Sequence, residues 1–139
     1  MRDFYRTIEH TADIGIEVEA PDTAGLLTRC ALAMFDMMFG LDSISKSIKV
    51  RIAAEGDDIG ELLVAWLNEV LYVYAVEKVV FSDFVPEVVT ENRFSAIAWG
   101  EKLDPGKHDV GLEIKAATYH ALSIEHLDDT WKARVIFDV

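Results

Sequence analysis

The sequence predicts an α+β fold with mostly antiparallel sheet and two helices packed on one face of it. Two segments carry apolar residues at helical spacing, and most of the remaining chain alternates apolar and polar residues with a period of two, as half-buried strands do. The predicted order is strand, helix, strand, helix and then a run of strands, which is typical of α+β domains. The chain has 139 residues, of which 51% are hydrophobic, and we expect one domain spanning residues 1–139.

Two helices are predicted, each with an aspartate near its start. The first begins after Pro21, with Asp22 or Thr23 as its N-cap, and ends near Gly40. The second has an aspartate at position 57 or 58 as its N-cap and runs to about residue 76. Its apolar positions form a wide stripe, so we expect it to be the more buried of the two helices.

The rest of the chain is predicted as strands separated by polar turns. A turn at residues 90–92 separates two of the strands, and a turn at Asp128 and Asp129 predicts a hairpin between the last two. The predicted strands are residues 12–20, 47–53, 79–85, 94–99, 110–117, 118–126 and 131–139.

The charge balance narrows the classes of partner. The chain has 13 Lys and Arg against 25 Asp and Glu, which gives a formal net charge of −12. General nucleic-acid binding draws most of its affinity from cationic side chains on phosphates, so this composition argues against it. An acidic surface is better suited to a basic protein partner or to a cation.

Other sequence features exclude several kinds of protein. Cys30 is the only cysteine, so neither an intrachain disulfide nor a cysteine-based zinc site can form. The first residues lack an apolar stretch of the signal-peptide type, and Asn68 and Glu69 interrupt the most apolar segment. We therefore expect a cytoplasmic protein that makes no contact with a membrane. A phosphate-binding glycine loop, a nucleophile elbow and a zinc-protease helix motif are all absent from the sequence, so the common routes to an enzyme are weak.

Two short segments suggest a site instead. In the first, His10 and Asp13 are three residues apart, and Gly15 would let a neighbouring chain approach closely. In the second, the alternation puts Asp138 on the face opposite the core, directly before the terminal carboxylate of Val139.

These carboxylates would converge if the strands at residues 12–20 and 131–139 are neighbours. Asp13, Asp138 and Val139 would then place three negative charges in one pocket beside His10, and they repel one another unless a cation neutralises them. Oxygen donors with one imidazole suit Ca²⁺, Mg²⁺ or Mn²⁺ better than Zn²⁺. The structural alternative is that Asp13 caps a turn, that His10 is a loop histidine and that Asp138 is solvated.

The other polar candidates have ordinary structural interpretations. His108 is expected on a loop surface, and His120 is expected on a strand, half-buried or facing a partner. Cys30 lies in a helical apolar stripe and is interpreted as core packing and not as a reactive thiol.

Four segments, in order and at matching spacing, resemble the archease family. They are residues 9–15, 66–72, 114–120 and 131–139, which read EHTADIG, WLNEVLY, IKAATYH and WKARVIFDV. The resemblance covers almost the whole chain and implies a small α+β domain with a strand-helix-strand-strand core enlarged by an insertion. It also implies a metal site on His10, Asp13, Asp138 and Val139, with Ca²⁺ preferred over Mg²⁺ or Mn²⁺.

The function implied by the resemblance is accessory and not enzymatic. Archeases assist the RtcB-type RNA ligase of tRNA splicing and RNA repair by promoting its guanylylation and its multiple turnover. We therefore expect a monomer whose partner is that ligase and which meets tRNA only through it. Two alternatives stay open, a metal-dependent phosphoesterase that uses Asp13, Asp138 and His10, and a chaperone-like binding module whose metal only stabilises the fold.

Overall fold

The computed structural model describes residues 4–10 and 13–139. In this part of the chain it has eight strands, two α-helices and a short 3-10 helix. Their bounds are β1 (Tyr5–His10), β2 (Asp13–Ala20), α1 (Thr23–Phe39), the 3-10 helix (Leu41–Ser43), β3 (Ile48–Glu55), α2 (Ile59–Glu77), β4 (Val79–Val89), β5 (Arg93–Lys102), β6 (Ala116–Ala117), β7 (Ser123–Leu127) and β8 (Thr130–Asp138).

The strands form two sheets, and every pair in them is antiparallel. The larger sheet has the order β1-β2-β8-β6, with β7 also paired to β8, and the smaller sheet has the order β3-β5-β4. The predicted α+β class is therefore confirmed, and the structure adds that the antiparallel strands are divided between two sheets.

Both helices begin with the aspartate cap that the sequence predicts. The Asp22 carboxylate accepts a hydrogen bond from the Gly25 N–H at 2.7 Å, so Asp22 and not Thr23 caps α1. The Asp58 carboxylate accepts from the Glu61 N–H at 2.8 Å in the same way at the start of α2. Each cap satisfies a backbone donor that the first helical turn leaves without a partner.

The helices share the core with both sheets. Helix α1 contacts β2 and β4, and α2 contacts β3 and β6, so each helix touches a strand of each sheet. The buried indole of Trp66 on α2 donates from Nε1 to the carbonyl oxygen of Leu27 on α1 at 2.9 Å and packs edge-on against Phe94 of β5. Helix α2 is long and apolar enough by composition to span a bilayer, as core helices of soluble proteins often are, and half of the apolar window is buried inside the protein.

Two regions differ from the predicted elements. Residues 5–10 form β1, where no strand was predicted, because their apolar residues do not alternate clearly on this edge strand. Residues 110–117 and 118–126 were expected as two strands, but only Ala116–Ala117 and Ser123–Leu127 are strands. Of residues 110–115 only Ile114 is buried, and the segment runs beside α2, whose Tyr74 and Asn68 bind Glu113 and Ala117.

Candidate functional site

The site begins with the pairing of β2 with β8. Ile14 lies opposite Phe137 and Gly15 lies opposite Ile136, so the condition on which the predicted site depends, that these two strands are neighbours, is met. One step further along the same register, Asp13 and Asp138 come opposite each other at the ends of their strands. Because side chains alternate along a strand, both aspartates belong to the face of the larger sheet that points away from the helices.

Two further strands extend the row that Asp13 and Asp138 form, which we call the aspartate row. His10 of β1 pairs with Asp13, and Ala116 of β6 pairs with Asp138, so the row runs across four strands. The side chain of His10, and the whole of Thr11 and Ala12, lie outside the described residues. The structure thus brings Asp13 and Asp138 together and brings the His10 backbone beside them.

The aspartate row contains two carboxylates, those of Asp13 and Asp138, which carry charge of the same sign. Asp13 is half-buried, Asp138 is exposed, and Val139 is 40% exposed. Like charges directly opposite each other on antiparallel strands destabilise the pair. Among the residues that the structure describes, no group of three or more His, Cys, Asp or Glu side chains is close enough to hold a metal ion.

Gly15 explains how closely the strands approach beside the aspartates. A Cβ atom on Gly15 would lie 2.6 Å from Cδ1 of Ile136 and 2.7 Å from the carbonyl oxygen of Val135. Ile136 is buried although it lies on the outer face of the sheet, because its side chain covers Gly15. The expectation that Gly15 permits the close approach of another chain segment is confirmed.

The edge of the site is held by a residue that the sequence analysis did not single out for this role. The Asn68 side chain of α2 donates from Nδ2 to the Ala117 carbonyl at 3.1 Å and accepts from the Ala117 N–H at 2.8 Å. An amide side chain thereby replaces a neighbouring strand on the free edge of β6. The signal in the sequence is an asparagine between buried positions of a mostly apolar helix, where a polar side chain needs a partner.

Backbone contacts fix the end of β8 from the same side. The Lys115 N–H donates to the Asp138 carbonyl oxygen at 2.8 Å, and Thr118 donates to the Ile136 carbonyl from both its N–H and its Oγ1, at 3.0 and 2.9 Å. Lys115 and Thr118, on either side of β6, therefore both form hydrogen bonds with β8. The position of Asp138 is set by β2 on one side and by residues 115–118 on the other.

Of the other candidate residues, His108 and His120 lie elsewhere than expected, and Cys30 lies where the sequence predicts. His108 was expected on a loop surface, but it is 2% exposed. Its Nδ1 accepts from the Asp104 N–H at 2.9 Å and its Nε2 lies 2.9 Å from Oε2 of Glu101, which fits a neutral ring with its proton on Nε2. His120 was expected on a strand, but it is exposed and lies in a turn before β7, where Ala121 adopts a left-handed φ of 53°.

Cys30 is a packing residue, as the helical stripe predicts. It is fully buried in α1, and burial raises the pKa of its thiol to about 12. A thiol that stays protonated is neither a nucleophile nor a metal ligand.

Comparison with known proteins identifies the family. Residues 5–139 match the model of the Archease protein family, and relatives called "Protein archease" match nearly the whole chain. The chain belongs to the archease family. The archease of Methanopyrus kandleri is 38% identical over 97% of this chain and 99% of its own, and that of Pyrococcus furiosus is 38% identical over 94% and 95%.

Solved structures agree with the archease fold. The solution structure of protein 1598 from Methanobacterium thermoautotrophicum superposes with a TM-score of 0.85, at 29% identity and covering 98% of this chain and 99% of its own. The crystal structure of a Thermotoga maritima protein, described as an archease and possible chaperone, gives a TM-score of 0.66 over the full length of both chains. At 22% identity, this second likeness bears on the fold alone.

Proposed function

We propose that this archease activates an RtcB-type RNA ligase in the cytoplasm, promoting its guanylylation and multiple turnover, without catalysing a reaction itself. We also propose that a divalent cation, Ca²⁺ before Mg²⁺ or Mn²⁺, binds at Asp13, Asp138, the carboxylate of Val139 and His10. The observation that carries the proposal is the pairing of β2 with β8, which puts two aspartates opposite each other in a member of this family.

The donor set supports a hard cation. Carboxylate oxygens are the ligands that Ca²⁺, Mg²⁺ and Mn²⁺ prefer, and no thiolate is available to favour zinc because Cys30 is buried in α1. A bound cation would supply positive charge that relieves the repulsion between Asp13 and Asp138. The ends of β2 and β8 would then be held together as one rigid tip of the larger sheet.

The residues of the chain itself suggest how the tip acts. Asp138 is exposed, and its backbone is held by β2, β6 and the N–H of Lys115, so it presents a carboxylate from a fixed position. Groups held in a fixed geometry by packed elements pay little ordering cost when they contact a second site. The tip would contact the ligase active site and help to order the groups that take part in guanylyl transfer there.

The test is a multiple-turnover assay of the cognate RtcB-type ligase with GTP and a broken RNA substrate. We expect the wild-type archease to raise turnover and Asp13→Asn and Asp138→Asn to reduce that gain at least tenfold, because each removes half of the carboxylate pair. Asp128→Asn is the matched control. It lies at the other end of β8, about 30 Å away, and asparagine tolerates the left-handed backbone of Asp128, whose φ is 52°.

Calorimetric titration with Ca²⁺ tests the cation separately. We expect the wild type and Asp128→Asn to bind alike, and Asp13→Asn and Asp138→Asn to lose binding. A variant with residues added after Val139 should bind more weakly, since the extension moves the terminal carboxylate away from Asp138. Equal affinity with and without the extension would remove Val139 from the site.

The outcomes separate the alternative functions. If the aspartate variants melt at lower temperature but activate the ligase normally once folded, the site is structural and the protein is a chaperone-like module. If the purified protein alone hydrolyses phosphoesters with Mn²⁺ or Mg²⁺ and Asp13→Asn abolishes this, it is a phosphoesterase and the proposal is wrong.

A further inference from the structure

The segment WLNEVLY on α2, residues 66–72, contains two residues that the fold does not use. Of the other five, four are buried in the core, and Asn68 holds Ala117 at the strand ends. Glu69 and Tyr72 are exposed, and Tyr72 is 61% exposed. In the described part of the chain, the Tyr72 side chain makes no hydrogen bond, ion pair or ring contact.

Tyr72 belongs to an exposed stripe along α2. Residues three and four apart share a helix face, so Val76, 59% exposed, follows Tyr72 by one turn, and Glu69 precedes it. Ala65 and Glu61 continue the stripe toward the start of the helix. We call Glu61, Ala65, Glu69, Tyr72 and Val76 the α2 stripe.

The charge on this helix has one sign. Helix α2 contains Glu61, Glu69 and Glu77 and no Lys, Arg or His, and Lys78 follows only after its end. A large exposed aromatic group one turn from the Glu69 carboxylate is an unusual composition for a solvated helix face, which is normally polar all along. It is typical of a surface that receives a cationic partner, because tyrosine binds guanidinium groups over its ring and carboxylates pair with them.

Helix α2, which carries the stripe, is held beside the strand-end site by residues 113–122. Residues 113–122 follow α2 along almost its whole length. Tyr74 donates from its hydroxyl to the Glu113 carboxylate at 3.2 Å, and Asn68 donates to Ala117 at 3.1 Å. Toward the start of the helix, a Cβ atom on Gly60 would lie 3.3 Å from the Leu122 side chain. In the middle of this segment Ala116 pairs with Asp138, so helix α2, which carries the stripe, lies beside the β6 end of the aspartate row.

We infer that the α2 stripe is the surface through which this archease docks on the ligase, an inference that rests on the function proposed above. The occupant is a cationic protein surface with an apolar pocket for Tyr72, rimmed by arginine or lysine. RNA itself does not fit this face, because phosphates would meet Glu61 and Glu69. The stripe holds the protein in place while Asp13 and Asp138 act.

The size of the stripe suits an activator that must leave again. Five residues on about four turns of one helix form the centre of a small interface, of the class below about 1,200 Å² that transient complexes use. In such interfaces one or two aromatic residues carry most of the affinity. Tyr72 is therefore the residue on which binding depends.

The experiment measures binding and activation separately. The dissociation constant for the purified cognate ligase is determined by biolayer interferometry, and ligase turnover is measured at increasing archease concentration. We expect Tyr72→Ala to raise the dissociation constant about tenfold, while turnover at saturating archease equals that with the wild type. Alanine is the best helix former, so α2 is retained in this variant. Leu127→Ala, at a side chain 66% exposed on the β7–β8 hairpin, is the matched control and should bind like the wild type.

Asp138→Asn distinguishes this inference from the proposed function. It should leave the dissociation constant within about twofold of the wild type and lower turnover at saturation. If Tyr72→Ala binds the ligase as tightly as the wild type while Asp138→Asn still lowers turnover, the docking surface is wrong and the proposed function stands. If the wild type does not bind the ligase at all, both are wrong.

Discussion

At the scale of single residues, the contact between Glu101 and His108 shows how one buried ring organises a loop. The Glu101 carboxylate accepts hydrogen bonds from Lys107, from the Ser45 N–H and from His108, and these hold its pKa at about 2. The His108 ring in turn accepts from the Asp104 N–H. The sequence could not reveal this cluster, because its members lie on three separate segments and His108 follows a turn that is typical of a surface loop.

The depressed pKa of Glu101 predicts a pH-dependent contribution to stability. Because the pKa falls from 4.5 to about 2 on folding, the carboxylate stabilises the protein above pH 4.5, and the effect is lost as the pH falls toward 2. We expect Glu101→Gln to lower the free energy of unfolding by about 1 kcal/mol near neutral pH, since solvent screens part of the interaction. Urea unfolding of both proteins at several pH values measures this difference. A gap that stays constant down to about pH 2.5 would contradict the assignment.

At the scale of elements, local chemistry predicted the ends of the helices better than the strands. An aspartate directly before a helical apolar stripe is typically an N-cap, and both caps lie where the sequence predicts them. Strand β1 was not predicted, and residues 110–115 and 118–122 were wrongly predicted as strand, since edge pairing and packing along a helix depend on partners distant in sequence. For the site, the pairing of residues 12–20 with 131–139 was the condition of the charge argument, and the structure shows that pairing. The two hydrogen bonds between the Asn68 side chain and Ala117, which we call the Asn68 clamp, were not predicted. Nothing in the local sequence identifies Ala117 as the partner of Asn68.

The Asn68 clamp predicts that one side chain holds an element in place. Asn68→Ala would leave the Ala117 N–H and carbonyl without their partner, at a cost of about 1–3 kcal/mol in the free energy of unfolding. Hydrogen exchange at the Ala117 N–H should become faster. Glu69→Ala, at the next position on the same helix but exposed, is the control and should change stability by less than about 0.5 kcal/mol. Unchanged exchange at Ala117 in Asn68→Ala would contradict the clamp.

At the scale of the whole molecule, the net charge and the position of the acidic helix together affect how partners approach. The protein carries a formal net charge of −12, and its most acidic helix flanks the aspartate row. A field of one sign speeds the encounter with a cationic partner and opposes the approach of free RNA. The composition alone predicted the class of partner, but only the fold shows on which side of the molecule the charge lies.

This field predicts that activation depends on salt. The Debye length is about 10 Å at 0.1 M salt and about 3 Å at 1 M, so added salt weakens steering between exposed charges. We expect the archease concentration that gives half-maximal ligase turnover to rise several-fold between about 0.05 and 0.3 M KCl. The maximal turnover, corrected for ligase alone at each salt concentration, should not change. A half-maximal concentration independent of salt would show that the contact is not electrostatic.

The place of β8 has a consequence for how the protein is made. It follows the other seven described strands in sequence, yet it lies between β2 on one edge and β6 and β7 on the other. During synthesis, the hairpin of β1 and β2 leaves the ribosome with one edge unpaired and has to wait for more than a hundred residues before its neighbour is translated. Residue 138 is translated 125 residues after Asp13, so a chain that stops before residue 138 does not carry the complete aspartate pair. The tip that we propose to activate the ligase therefore exists only once β8 has been translated.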